Sequence, residues 1–198
     1  IENFLTARMF MYWQVYYHKT SALAVFLLVK ILERAKFLVS QGEDLPATEN
    51  LRYFLYREND GATDEDVFRF TQLDDNDIIQ AMKLWRDSDD FVLSYFCKCV
   101  IERNLPKTII SSQSFDKQFV DDKIQYANDF FGIDNGHLLV HEIKRKLLPY
   151  DIEKQPIYLL QKNGQKIRLD QSQDQLLSGL LNTKTERFIL TFPREILG

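Results

Sequence analysis

The run Ala7-Arg-Met-Phe-Met-Tyr-Trp-Gln-Val-Tyr-Tyr-His-Lys-Thr20 decides how this chain is read. It sits inside residues 1–39, where apolar side chains recur at the three- and four-residue spacing of a helix. We read that segment as one long helix. At about 100° per residue, Arg8, Tyr12, Tyr16 and Lys19 fall at roughly 0, 40, 80 and 20° around the axis. Two cations and two phenols therefore share one narrow stripe. A guanidinium and an ammonium hold phosphate oxygens, and a tyrosine stacks on a sugar or base while its O–H donates. Such a stripe could face a nucleotide. The alternative is an ordinary packed helix edge, with Arg8 and Lys19 extending their charges to water.

Outward from the motif, Leu23, Phe26, Leu27, Lys30, Ile31 and Arg34 keep the helical spacing, and Val25, Leu28, Val29 and Leu32 widen the apolar arc. A wide arc predicts burial against several neighbours or another subunit. Ser40-Gln-Gly42 closes the helix, with Gly42 as cap residue. Thr48 opens a second helix running to about Glu58, and Asn59-Asp-Gly61 is a turn. Thr63-Asp-Glu-Asp66 starts a short helix through Phe70. Asp74 and Asp77 have the spacing of a capping box for a helix through Asp87, and Ser88 or Asp89 starts another through Asn104. The acids of this stretch (Asp64, Glu65, Asp66, Asp74, Asp75, Asp77, Asp87, Asp89, Asp90) stand where helices begin. There a carboxylate answers orphan N–H groups and favours the macrodipole, so they read as caps rather than as a metal site. The EF-hand pattern is absent.

The texture changes after Asn104, and Leu105-Pro106 marks a boundary between residues 1–104, a helical region, and residues 105–198, a small α+β domain. Lys107 to Ser111 reads as a strand, Ser114 to Phe131 as a helix closed by Gly132, and His137 to Lys146 as extended up to Pro149. Residues 156–161 and 165–169 form a hairpin about Asn163-Gly164. Ser172 to Leu181 reads as a helix and Glu186 to Phe192 as a last strand. This order suggests a ferredoxin-like split βαβ unit with the hairpin as an elaboration. The fold class is therefore α+β: a mostly helical part led by one long helix, then the ferredoxin-like unit. His137 and His141 would share one face of their strand, and with no third ligand in view they read as structural. Lys144-Arg145-Lys146 reads as a solvated strand end that could touch a phosphate.

Composition narrows the classes. The 198 residues are 45% hydrophobic and 27% charged, enough for a core. The net charge of −4 gives no global field for nucleic acid, which is not an expected partner. Two cysteines, Cys97 and Cys99, stand two apart on a helix, nearly opposite one another, and read as buried free thiols of a reducing cytoplasm. No apolar run approaches the ~18 residues of a membrane span.

The motif Arg8, three residues, Tyr12, three residues, Tyr16, one residue, His18-Lys19 resembles a segment of the HD-domain phosphohydrolases. That superfamily of deoxynucleoside triphosphate triphosphohydrolases includes the mammalian SAM-and-HD-domain dNTPase and bacterial dGTPase-like proteins. In that family the arginine reaches the triphosphate, and the residues four and eight later line the catalytic pocket. The His-Lys pair lies near an oligomer interface, where some members bind an activating nucleotide. Tyr12 departs from the mammalian pattern, which has histidine there. The resemblance implies substrate-binding roles for Arg8, Tyr12 and Tyr16, and an oligomer-interface or regulatory-nucleotide role for His18 and Lys19.

The family's metal centre needs a His, a His-Asp pair and a distant Asp, yet this chain has three histidines and no His-Asp dipeptide. The resemblance therefore implies the C-terminal portion of a longer cytoplasmic homo-oligomeric enzyme. Its divalent ion (Mg, Mn, Fe or Zn) would be bound by upstream residues, none of them here. The intact enzyme would hydrolyse a dNTP, dGTP foremost, to the deoxynucleoside and triphosphate, and this fragment alone would be inactive. The rival expectation is a non-enzymatic interaction or oligomerisation module, with the aromatic stripe, Trp13 and Tyr17 as protein-facing anchors.

Overall fold

The computed structural model describes residues 2–16, 18–58, 61–147, 154, 156–171 and 185–197. The α+β class expected from the sequence is observed, with α-helices followed by small antiparallel sheets. The helices are α1 (Glu2–Met11), α2 (Lys19–Ser40), α3 (Glu49–Tyr56), α4 (Asp64–Thr71), α5 (Asp75–Trp85), α6 (Phe91–Ile101) and α7 (Lys117–Phe131). The strands are β1 (Lys107–Ser111), β2 (His141–Leu147), β3 (Tyr158–Leu160), β4 (Lys166–Arg168) and β5 (Thr185–Phe192).

The central element is α2. Leu23, Leu27, Ile31, Ala35 and Leu38 recur every three or four residues and are all buried, so one face of the helix is core. That face packs on α3 and α6 and joins Leu51, Leu55, Met82, Trp85, Leu93 and Phe96 in one cluster. Removing one of these large side chains would cost roughly 2–5 kcal/mol. The indole N–H of the buried Trp85 donates to the Pro46 carbonyl at 2.9 Å. The buried arc is narrower than the sequence suggests, because Val25, Val29 and Phe37 stay exposed in this chain.

Local cap chemistry sets the helix ends. Thr63 and Asp66 form a capping box, and so do Asp74 and Asp77, each side chain answering the other residue's backbone N–H. Asp90 caps α6 through the Leu93 N–H at 2.8 Å. Thr48 stands at the start of α3 without a side-chain cap bond. Gly132 ends α7 in the left-handed region, at φ 64° and ψ 41°.

The main sheet has the order β1-β5-β2, with β5 antiparallel to both neighbours. β1 and β2 thus run parallel, with α7 between them in sequence and β5 between them in space, which is a split βαβ unit. Leu190 and Phe192 of β5 face Ile124 and Ala127 of α7 in a second cluster. The hairpin β3–β4 makes a separate two-stranded sheet turning at Asn163-Gly164. Among the described residues the main sheet has three strands, one fewer than the doubled ferredoxin-like pattern. The helix expected at residues 172–181 and the strand end at Pro149 lie outside the described residues.

Two expectations are corrected. The single helix over residues 1–39 is divided: α1 passes into a five-residue π-helical turn, Tyr12–Tyr16, and α2 starts afresh at Lys19. His137 and His141 do not share a strand face. His137 lies in a 3-10 turn, Gly136–Leu138, and only His141 is in β2. The turn is fixed by Gly136, whose N–H donates to Asn128 Oδ1 at 2.7 Å, so the chain bends before it extends.

Both cysteines are buried free thiols. Burial pushes the Cys97 thiol up to about 12 and the Cys99 thiol up to about 11, so neither is a poised nucleophile. No helix among the described residues is long and apolar enough to cross a membrane.

Candidate functional site

Arg8 stands in the last turn of α1, four residues before Tyr12. That spacing stacks the two side chains. The guanidinium Nη2 donates to the Tyr12 hydroxyl at 3.0 Å, and Arg8 Cζ lies 4.9 Å from the Tyr12 ring centroid. Both residues are half-buried. The ring and hydroxyl together hold the guanidinium in one orientation. Its Nε is buried and meets no acceptor among the described residues. A buried donor left unanswered costs about 1–3 kcal/mol, and an anionic oxygen is its natural partner.

The backbone beneath these residues is unusual. Tyr12–Tyr16 is π-helical, a form that is rare and found mostly as single turns, frequently at functional sites. The side chains of Trp13 and Tyr16 lie outside the described residues, as does Tyr17. His18 is extended, at φ −60° and ψ 134°, and its Nδ1 accepts from the Thr20 N–H at 3.3 Å. It is therefore the N-cap of α2. His18 and the adjacent Lys19 are both exposed. Of the five residues singled out in the sequence, the structure brings Arg8 and Tyr12 together and sets His18 and Lys19 beyond a helix break. What the sequence did not show is the π turn itself, Tyr12–Tyr16. An aromatic-rich run without Gly or Pro gives no signal for such a turn.

Other polar constructions are structural. Arg34 and Asp90 pair through two bonds, Nε to Oδ1 at 3.0 Å and Nη2 to Oδ2 at 2.6 Å. Burial alone would raise the Asp90 carboxyl, but Arg34 and the Leu93 N–H hold it below the usual carboxylate range. Asp66 receives bonds from Tyr53, Arg57 and Thr63 and pins the start of α4. His141 donates from Nε2 to the Leu138 carbonyl at 2.8 Å and meets the Phe26 ring edge-on at 5.0 Å. Burial lowers its pKa. A cleft of about 520 Å³ between α7 and the turn Arg194–Ile196 is lined by Lys123, Tyr126, Asp129, Phe130 and Glu195. Its single ammonium lies over the Phe192 ring at 4.9 Å, and the mixed charges select no ligand class. Among the described residues no three His, Cys, Asp or Glu side chains gather to hold a metal.

Solved structures share this fold. A crystal structure of a phosphohydrolase from Bacteroides thetaiotaomicron superposes with a TM-score of 0.87 at 34% identity, over 98% of this chain and 49% of that one. The chain is similar to a phosphohydrolase. A hypothetical protein from Aquifex aeolicus superposes with a TM-score of 0.56 at 21% identity, over 98% of this chain and 42% of that one, and shares the fold. Among curated proteins, the uncharacterized protein YwfO of Bacillus subtilis is 28% identical over 204 residues, covering all of this chain and 45% of YwfO. The chain thus spans about half the length of the relatives it matches. No family model matches.

Proposed function

We propose that this chain supplies the phosphate-binding wall of an HD-type phosphohydrolase acting on a deoxynucleoside triphosphate, dGTP foremost. The observation that carries the reading is the Arg8 guanidinium, laid on Tyr12 with a buried Nε that no described acceptor answers. The likeness to a phosphohydrolase supports the reaction class.

In this reading Arg8 neutralises charge growing on the departing phosphate chain. Tyr12 positions Arg8 by accepting from Nη2, and Tyr16 contacts the sugar. His18 and Lys19 take part in a subunit contact or a regulatory-nucleotide site of a homo-oligomer. The described residues do not fit the divalent ion that the resemblance implies, so we assign its ligands to the other half of a protein of the relatives' length. Turnover of dGTP by the full-length protein with Mn²⁺ tests the reading. Arg8→Ala should lower it about 100-fold, the loss of one charged contact to the developing anion. Unchanged turnover would sink the assignment.

One observation favours a second reading. Phe4, Phe10, Met11 and Val15 are exposed on α1 and the π turn, a surface suited to protein association. Arg8→Ala would then change sedimentation behaviour and leave turnover alone.

A further inference from the structure

A helix on a folded chain ordinarily turns its apolar side inward. In α4 the order is reversed. Its large apolar side chains, Val67, Phe68 and Phe70, are 59%, 61% and 69% exposed. The residue it buries is Asp66. At about 100° per residue Phe70, Val67 and Phe68 span an arc of roughly 160°, and Glu65, Arg69 and Asp66 fill the opposite side. That polar side makes the attachment to the rest of the chain. Tyr53 donates to Asp66 at 3.0 Å, and Arg57 pairs with the same carboxylate. Arg69 donates to Glu65 at 2.5 Å and to Glu49 at 3.3 Å, and its guanidinium lies 4.7 Å from the Tyr53 ring centroid. The apolar arc, by contrast, is presented to solvent, and an exposed apolar surface of this kind marks a place of association.

The charge around α4 says what covers it. Residues 58–77 carry eight acidic side chains and one basic one, Arg69, a local charge of −7 in a chain whose net charge is −4. Glu58, Asp64, Glu65, Asp74 and Asp75 are exposed. Singly several of these acids cap helices; together they make a negative field. That field repels anionic lipid and nucleic acid, and it sets like charge against like if α4 of one copy meets α4 of another. It attracts an apolar surface that carries cations. We propose that the outward face of α4 is a docking site for a basic amphipathic helical segment of a protein partner. Val67 and Phe68 take the apolar side of that segment, and the acids beside them take its lysines and arginines. The Thr63–Asp66 capping box and the bonds to Tyr53 and Arg57 hold α4 in place before the partner arrives, which lowers the ordering cost of binding. The surface makes no use of Arg8 and needs no nucleotide.

The test uses the full-length protein and a fluorescein-labelled synthetic peptide of about 14 residues, with leucine and lysine placed at helical spacing. Binding is followed by fluorescence anisotropy at about 0.15 M salt. The wild type should bind the peptide saturably and ignore a counterpart with glutamate in place of lysine. Phe68→Gln should bind about tenfold or more weakly, the loss of a central apolar anchor, and Val67→Gln repeats the test at a second position. Both side chains are exposed, so both variants should melt with the wild type. Asp64→Asn combined with Asp75→Asn should weaken binding and flatten its salt dependence. Leu160→Gln removes an apolar side chain that is 71% exposed on β3 and should stay within about twofold of wild type. Absence of saturable binding by the wild type, or equal affinity in wild type, Phe68→Gln and Val67→Gln, would overturn the inference. So would a wild-type oligomer that Phe68→Gln dissociates in sedimentation velocity, since the occupant of the face would then be a second copy of the chain.

Discussion

Asp90 serves two purposes, and substitutions there separate them. It caps α6 through the Leu93 N–H at 2.8 Å and it receives both bonds from Arg34. Losing the cap costs about 1 kcal/mol. Breaking a fully buried ion pair by removing one partner costs about 3–5 kcal/mol. Both side chains here keep 17% exposure, so about 2–3 kcal/mol is the appropriate range. Asp90→Ala should therefore lose about 3–4 kcal/mol, a fall in Tm of about 10 °C for a chain of this size. Asparagine is as good an N-cap as aspartate, so Asp90→Asn should recover about 1 kcal/mol of that loss. Urea unfolding at pH 7 of the two variants and the wild type measures all three values. The pH dependence has a definite sign. The folded carboxyl is held below its unfolded value, so the stabilisation is in place above about pH 4 and is lost as pH falls through the lower, folded value. A loss under 1 kcal/mol for Asp90→Ala, or equal losses for the two variants, would refute this account of the α2–α6 contact.

Two further predictions concern the sheet and its junction with the helices. Burial holds His141 below the ordinary imidazole value, so the unfolded chain takes up its proton first and stability falls as pH drops below about 6.5. Relative to His141→Gln, the wild type should lose up to about 1.4 kcal/mol per pH unit there; parallel urea midpoints at pH 7.5 and 5.5 would contradict this. A Cβ at Gly136 would lie 2.6 Å from both Asn128 Oδ1 and the Ile124 carbonyl oxygen. Gly136→Ala should cost about 1–3 kcal/mol by overpacking, measured by thermal melting, whereas a change under 0.5 kcal/mol would show that α7 gives way freely.

The parts of the fold that were legible in the sequence are those fixed by neighbours a few residues apart. Asp74 with Asp77 announced its capping box, Gly132 its helix end, Lys107–Ser111 its strand and Asn163-Gly164 its hairpin, because each is a local hydrogen-bonding or dihedral choice. The contact between Arg8 and Tyr12 was legible for the same reason, since four residues is the reach of one helical turn. The break after Tyr16 was not legible. Ile1 to Val39 contains neither Gly nor Pro, and apolar residues satisfy α and π spacing almost equally over five positions. The separation of His137 from His141 was hidden too, because the Asn128 side chain that fixes the intervening turn reaches Gly136 from another element. The partnership of Arg34 with Asp90 spans 56 residues and only the tertiary fold reveals it.

The central claim is that Arg8, oriented by Tyr12, holds a phosphate oxygen. Inorganic triphosphate carries that chemistry without sugar or base, so its dissociation constant for the full-length protein and for Arg8→Ala is the direct measurement. The account predicts saturable binding by the wild type and a loss of about 10- to 100-fold in the variant, as expected for one charged hydrogen-bonding contact. Equal affinity in the two proteins would contradict it.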